Sequence, residues 1–246
     1  MLPNHEGQRV PDTTFRTRDH DQWKPVSSKD IFNGRTVVLF ALPGAYTPTC
    51  STSHLPRFNE LAPLFRANGV DEVVCLAVND AFVMDEWAKS QEAGNLRLLP
   101  DGNGQFTEAM GMLVDKSDLG FGKRSWRYAM LVRDGVIEKM FIEPDKDGDP
   151  FEVSDADTML AYVAPDVRPP ETFTLFTKPG CSYCTRAKAL LEEKSLPYEE
   201  IVLGKGITPR SLEAVAGART TPQVFVGGRK VGGLDELQAW LADPAH

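Results

Sequence analysis

Two short stretches of the chain hold residue types able to do chemistry. "PGAYTPTCSTSHLP", Pro43 to Pro56, sets Cys50 among prolines and small hydroxyl residues, and "TKPGCSYC", Thr177 to Cys184, ends in a C-x-x-C unit. That unit follows a strand pattern, "TFTLFT", and opens a helical one. A cysteine at a helix N-terminus meets unpaired N–H groups and the positive end of the dipole, which stabilise a thiolate. Lys178 adds a nearby positive charge. Cys181 is therefore read as a nucleophile. Cys184, one turn inside the helix, can resolve a mixed disulfide. A zinc half-site is disfavoured: four ligands are normally needed, and this half of the chain has no second C-x-x-C and no nearby His pair. A structural disulfide is disfavoured in a reducing compartment.

Cys50 closes a P-x-x-x-T-x-x-C pattern made by Pro43, Thr47 and Cys50. A thiol peroxidase needs a thiolate, hydrogen-bond donors for the peroxide oxygens and a fixed cation. A helix starting just before Cys50 would supply amide donors and a dipole. Thr47 supplies a hydroxyl one turn away, and Pro43 shields the pocket. Arg127, in the apolar strand pattern "SWRYAML", is the candidate cation, since a charge among apolar residues needs a partner. Taken alone, the motif leaves a reactive thiol and a buried thiol both open, because free cysteine is among the most buried residue types. Cys75, mid-strand in "VVCLAV", reads as a core residue.

These residues must be held by a particular run of elements. "TVVLFAL" reads as a strand leading into the Cys50 loop, and Leu55, Phe58, Leu61 and Phe65 share one helical face that stops at Gly69. "EVVCLAV" is a second strand, Asn79 and Asp80 can cap the helix through Trp87, and "LRLLPD" is a third strand. "SWRYAMLVRDGVIEKMFIE" reads as a hairpin turning at Asp134-Gly135, and a short helix runs from about Asp155 to Val163. Three prolines in "APDVRPPE" mark a semi-rigid linker, after which β-α-β-α-β-β-α follows. The predicted boundaries are a first domain over 1–163, a linker over 164–171 and a second domain over 172–246. The acidic "DKDGD", Asp145 to Asp149, fails as a calcium loop, because its glycine is out of register and no acid stands at the twelfth position; it reads as a solvated loop.

With 246 residues and 41% hydrophobic content, the chain can build ordinary globular cores. A net charge of −8 argues against a broad basic surface for nucleic acid or anionic lipid. The N-terminus lacks the apolar core of a signal peptide, and the longest apolar run is too short to span a bilayer, so a cytoplasmic location is expected.

On these motifs the second half resembles a glutaredoxin of the thioredoxin superfamily: "TKPGCSYC", "TTPQVFVGG" and "GGLDEL" occur in order. The resemblance implies a cis peptide between Thr221 and Pro222, and a glutathione groove formed by Lys178, Tyr183, Thr221, Pro222, Gly233, Leu234 and Asp235. Leu234 departs from the family, where Cys or Ser is common. The first half resembles the atypical peroxiredoxins that include peroxiredoxin 5, through "FALPGAYTPTCS", "HLPRF", "CLAVNDAFVMDEWAK" and "WRYAMLVRDG". That resemblance implies Cys50 as the peroxidatic cysteine with Pro43, Thr47 and Arg127 around it. The whole is similar to a hybrid peroxiredoxin–glutaredoxin, an α/β chain of two thioredoxin-fold domains.

The first half lacks the resolving cysteine that family often places further along, so the Cys50 sulfenic acid must meet an outside thiol. The expectation is a glutathione-dependent peroxidase of hydrogen peroxide and small organic hydroperoxides. Glutathione serves as reducing co-substrate, with no bound cofactor or metal, and the resemblance implies a homo-oligomer, dimer or tetramer. Two other readings stand beside it: a peroxide sensor passing oxidation to a partner protein, and a [2Fe–2S] carrier that uses Cys181 as a ligand.

Overall fold

The computed structural model describes residues 2–19, 22–146, 148–169, 172–194, 196, 198–204 and 206–243. The chain divides into two compact units, 1–169 and 170–246. Of the expected linker, Pro170 and Glu171 lie outside the described residues, as do 244–246 of the expected second domain.

The first unit opens with β1 (Thr14–Asp19), β2 (Gln22–Ser27) and α1 (Ser28–Phe32). Then come β3 (Thr36–Ala41), α2 (Leu55–Ala67), β4 (Glu72–Ala77), α3 (Ala81–Ser90), β5 (Arg97–Pro100) and α4 (Gln105–Ala109). A small pair, β6 (Leu113–Asp115) and β7 (Lys123–Ser125), precedes β8 (Tyr128–Arg133), β9 (Val136–Ile142) and α5 (Ala156–Val163). The main sheet has the order β5-β4-β3-β8-β9, with β3 parallel to β4 and antiparallel to β8.

β3 is central, and every residue from Val37 to Ala41 is fully buried. Its alternation sorts the core. Val38 and Phe40 pack with Leu55, Phe58, Leu61 and Phe65 of α2. Val37, Leu39 and Ala41 pack on the other face with Phe15, Ile31, Phe32 and Phe106. Burial on both faces explains the unbroken apolar run in the sequence.

Helix starts follow capping chemistry. Asp80 accepts from the Val83 N–H at 3.0 Å, and Asp155 from that of Thr158 at 2.9 Å. Asn79 does not cap: its side-chain oxygen accepts from the Ala45 N–H at 3.0 Å, inside the Cys50 loop. Asp134 and Gly135 turn the β8–β9 hairpin with φ of 46° and 74°. The β1–β2 hairpin, α1, α4 and the β6–β7 pair go beyond the sequence expectation. Val167 of the expected linker packs against the first unit's core.

The second unit runs β10 (Phe173–Thr177), α6 (Ser182–Glu193), β11 (Tyr198–Val202), α7 (Pro209–Ala216), β12 (Gln223–Val226), β13 (Arg229–Gly232) and α8 (Leu234–Ala242). This is the expected β-α-β-α-β-β-α order. Its sheet order is β11-β10-β12-β13, with β10 parallel to β11 and antiparallel to β12. Phe173, Leu175, Leu191, Val224 and Leu237 fill one face, and Phe176, Leu212 and Phe225 the other. Thr208 caps α7, Pro209 opens it, and Gly217, at φ 64°, ends it. Among the described residues no helix is long and apolar enough to cross a membrane.

Candidate active sites

In the first unit the chain leaves β3 into a tight loop. Thr47 Oγ1 donates to the Gly44 carbonyl at 2.8 Å, and Tyr46 takes a φ of 62°. Gly44 sits close under Asn79: a Cβ there would stand 3.3 Å from Asn79 Oδ1, a tight contact that the amide would have to yield to. Helical backbone then begins, and Cys50–His54 form a single π-helical turn that runs into α2. The wide turn points both Cys50 and His54 inward, where each is fully buried. π-Turns inside helices are frequent at functional sites. Trp87 Nε1 donates to Ser51 Oγ at 3.1 Å and pins the outer side of this turn.

Arg127 comes from the residue just before β8 and is 1% exposed. Its Nη1 lies 3.6 Å from Cys50 Sγ and 3.0 Å from His54 Nδ1. The other ring nitrogen of His54, Nε2, faces the Ser154 carbonyl at 3.0 Å. A carbonyl only accepts, so Nε2 carries the proton and Nδ1 accepts from Arg127. Burial, helped by the Arg127 charge, pushes the His54 pKa down to about 3. The imidazole is therefore neutral at ordinary pH and orients the guanidinium without adding charge.

A second support comes from the loop after β9. Arg127 Nη2 donates to Asp149, and the Phe151 ring lies 5.4 Å from the guanidinium carbon and 4.9 Å from the His54 ring. Asp149 thus has a partner at the site, which corrects the reading of "DKDGD" as a solvated loop; Asp147 of that stretch lies outside the described residues. Glu143 anchors the loop. Its buried carboxylate accepts from the N–H groups of Glu152, Val153 and Ser154 and from the Ser154 hydroxyl, all at 2.8–2.9 Å. Arg127 Nε is buried with no hydrogen-bond partner among the described residues. Pro43 and Thr47 are half-buried in the loop that leads into this turn. Cys75 sits in β4, fully buried, and burial, with the nearby Cys50, raises its thiol pKa.

In the second unit Cys181 is the N-cap of α6, and the Cys184 N–H points at its sulfur at 3.1 Å. The two cysteines are joined in a disulfide, the oxidised form of the expected dithiol. The Thr221–Pro222 peptide is cis, and Cys181 Sγ lies 3.5 Å from the Thr221 carbonyl oxygen and 3.6 Å from its hydroxyl. Beside it a cleft of about 180 Å³ is lined by Tyr183, Thr221, Pro222, Gly233, Leu234 and Asp235, six of the seven residues expected of a glutathione groove. Lys178 is exposed and does not line it. Thr220, Gln223 and Glu236 line the cleft without having been expected, and the Glu236 carboxylate accepts from the Gly233 N–H at 2.8 Å.

The redoxin family model matches residues 5–160, and the glutaredoxin model matches 173–231. The hybrid peroxiredoxin hyPrx5 of Haemophilus influenzae is 57% identical over 241 residues, covering 98% of this chain and all of that protein. The chain belongs to the hybrid peroxiredoxins. Its peroxiredoxin half is also similar to the peroxiredoxin sll1621 of Synechocystis, 56% identical over 180 residues, which cover 66% of this chain and 95% of that protein. Among solved structures, reduced Prx3 of Vibrio vulnificus in complex with hydrogen peroxide superposes with a TM-score of 0.61 at 41% identity, covering 64% of this chain and 98% of that one. The hybrid peroxiredoxin is thus a mixed α/β chain of a thioredoxin-fold redoxin domain and a glutaredoxin domain, a peroxidase-class oxidoreductase.

Proposed function

We propose that this hybrid peroxiredoxin is a glutathione-dependent peroxidase of hydrogen peroxide and small organic hydroperoxides, with Cys50 as the oxidised thiol and Cys181 as its reductant. The observation that carries this reading is the buried pairing of Cys50 with Arg127, 3.6 Å apart, in a unit whose other thiol, Cys75, is held protonated in the core.

The Cys50 thiolate attacks the terminal peroxide oxygen. The O–O bond breaks, Cys50 becomes a sulfenic acid, and the departing alkoxide or hydroxide takes a proton to leave as alcohol or water. The Arg127 donors and the loop amides stabilise the charge that moves between the oxygens. Glutathione then attacks the sulfenic sulfur, forming an S–S bond to Cys50 and releasing water. Cys181 thiolate takes over the glutathionyl group and frees Cys50 thiolate. A second glutathione displaces the group from Cys181 as glutathione disulfide. Alternatively, Cys184 closes the Cys181–Cys184 disulfide and releases glutathione, and two further glutathione molecules reduce the pair.

The cleft beside Thr221 supports glutathione binding: an extended peptide can pair with the Thr221 backbone, and Asp235 suits an ammonium group. Where the linker lets the two sites meet, tethering would raise the local concentration of the reductant to about the millimolar range. Exchange within a dimer or tetramer fits the same scheme. The test is peroxide consumption with glutathione, glutathione reductase and NADPH, with no added thioredoxin or glutaredoxin. Steady turnover supports the reading, and a single oxidation equivalent followed by arrest refutes it.

A further inference from the structure

Arg127 presents a guanidinium that water scarcely reaches. Of its neighbours, His54 is neutral and Cys50 is charged only as thiolate. A buried cation needs a counter-charge, and the ion pair described for Arg127 is with Asp149. The two ends of this pair differ: the Arg127 side chain is 1% exposed and that of Asp149 is 43% exposed. One end of the carboxylate therefore faces the reacting cation and the other faces solvent. The other acids nearby are spent elsewhere. Glu143 is consumed by the loop's own donors, Glu152 pairs with Lys146, Asp155 caps α5, and Asp157 pairs with Arg57 at 2.6 Å.

An arginine fork is a strong general receptor for carboxylates. Without a partner on Nη2, Arg127 would draw carboxylate-bearing molecules to the thiol as readily as peroxides. With Asp149 in place, a second anion must approach a site whose outer edge is already negative. Rejecting competitors by like charge is a common route to specificity. We propose that Asp149 is a specificity-determining residue of the Cys50 site: its carboxylate occupies the outer end of Arg127, so that neutral hydroperoxides are admitted and anionic ones are turned away. The substrate class so selected is uncharged and small, meaning hydrogen peroxide and neutral alkyl hydroperoxides.

This inference rests on Cys50 and Arg127 forming the peroxidase pair. The experiment uses the full chain, reduced beforehand, and follows single-turnover oxidation by two matched probes: a hydroperoxide of a short-chain carboxylic acid and its methyl ester. The wild-type ester-to-acid rate ratio should be well above one. Asp149→Asn keeps an acceptor oxygen for Nη2 but removes the charge, and should lower the ratio about 5- to 10-fold. Asp149→Glu keeps the charge and should hold the ratio within about twofold of wild type. A merely structural role would scale both probes together and leave the ratio unchanged in Asp149→Asn; that result overturns the proposal. If Cys50→Ser is oxidised by the ester at the wild-type rate, the site reading itself falls, which is a different outcome from an unmoved ratio.

Discussion

Arg127 and His54 meet nitrogen to nitrogen: Nη1 donates to Nδ1 across 3.0 Å in a fully buried setting, and Ser154 holds the far side of the ring in place. A residue 73 positions earlier in the chain thus decides where the guanidinium beside Cys50 points. His54→Phe should fit among Phe40, Phe58 and Phe151 yet leave an Arg127 donor and the Ser154 carbonyl unpaired. Its expected effect is a 10- to 100-fold slower oxidation of Cys50 by hydrogen peroxide in stopped flow, equal to about 1.4–2.8 kcal/mol. His54→Asn, which keeps a donor and an acceptor, should recover most of the loss.

The same histidine gives the protein a pH-dependent stability. Its pKa is about 3 in the folded state against an ordinary value of 6.5. Above 6.5 neither state binds the proton. Between 6.5 and about 3 the unfolded chain takes it up and the folded one does not, so stability falls as pH falls. Urea unfolding at pH 7 and pH 4 should show wild type losing about 2–3 kcal/mol more than His54→Asn over that interval. Equal losses would show that the ring is not held neutral.

Replacing Cys50 with Ser should abolish peroxide consumption, and Arg127→Gln should lower the oxidation rate about 100-fold or more, the scale of losing a transition-state donor. Both are read by the loss of hydrogen peroxide under glutathione. Persistent turnover in Cys50→Ser would refute the assignment.

Cys181→Ser should stop cycling with glutathione while the first oxidation equivalent is still taken up. Cys184→Ser should continue to cycle if glutathione alone resets Cys181, and should stall if the Cys181–Cys184 disulfide is an obligatory species. Mass spectrometry distinguishes the cases: stalled Cys181→Ser should carry glutathione on Cys50.

Glu143→Gln replaces a carboxylate that accepts four hydrogen bonds with an amide whose NH₂ faces donors. Leaving buried donors unmatched should cost about 2–3 kcal/mol by denaturant unfolding. Oxidation of Cys50 should slow as well, since Ser154, Phe151 and Asp149 lose their anchor.

Most of what could be read in the sequence was local; Arg127, 77 positions from Cys50, stood out only as a charge in an apolar strand and through the family resemblance. Thr47 and Cys50 are one turn apart, Cys181 and Cys184 share another, and Thr208, Pro209 and Gly217 mark a helix by cap chemistry. These signals work because the interacting groups are neighbours in the chain. His54 and Glu143 carry no sequence mark, and Asp149 reads as solvated, because their roles depend on packing around Arg127 from two separated segments. His54 looked like an ordinary member of "HLPRF", and only its burial beside a cation gives it meaning. The π-turn at Cys50 has no sequence mark either. The β1–β2 hairpin was missed for another reason: "TFRTRD" and "QWKPVS" are polar and mostly exposed, with Phe15 and Val26 as their buried anchors, so the apolar alternation that betrays a strand is thin.

The Glu143 carboxylate closes its loop at the base through backbone N–H groups and one hydroxyl, not through the side chains at the tip. Asp149 and Phe151 stand outside that closure and reach inward to Arg127 and His54. The loop thus separates two jobs along its length, one end holding its own shape and the other touching the thiol's surroundings.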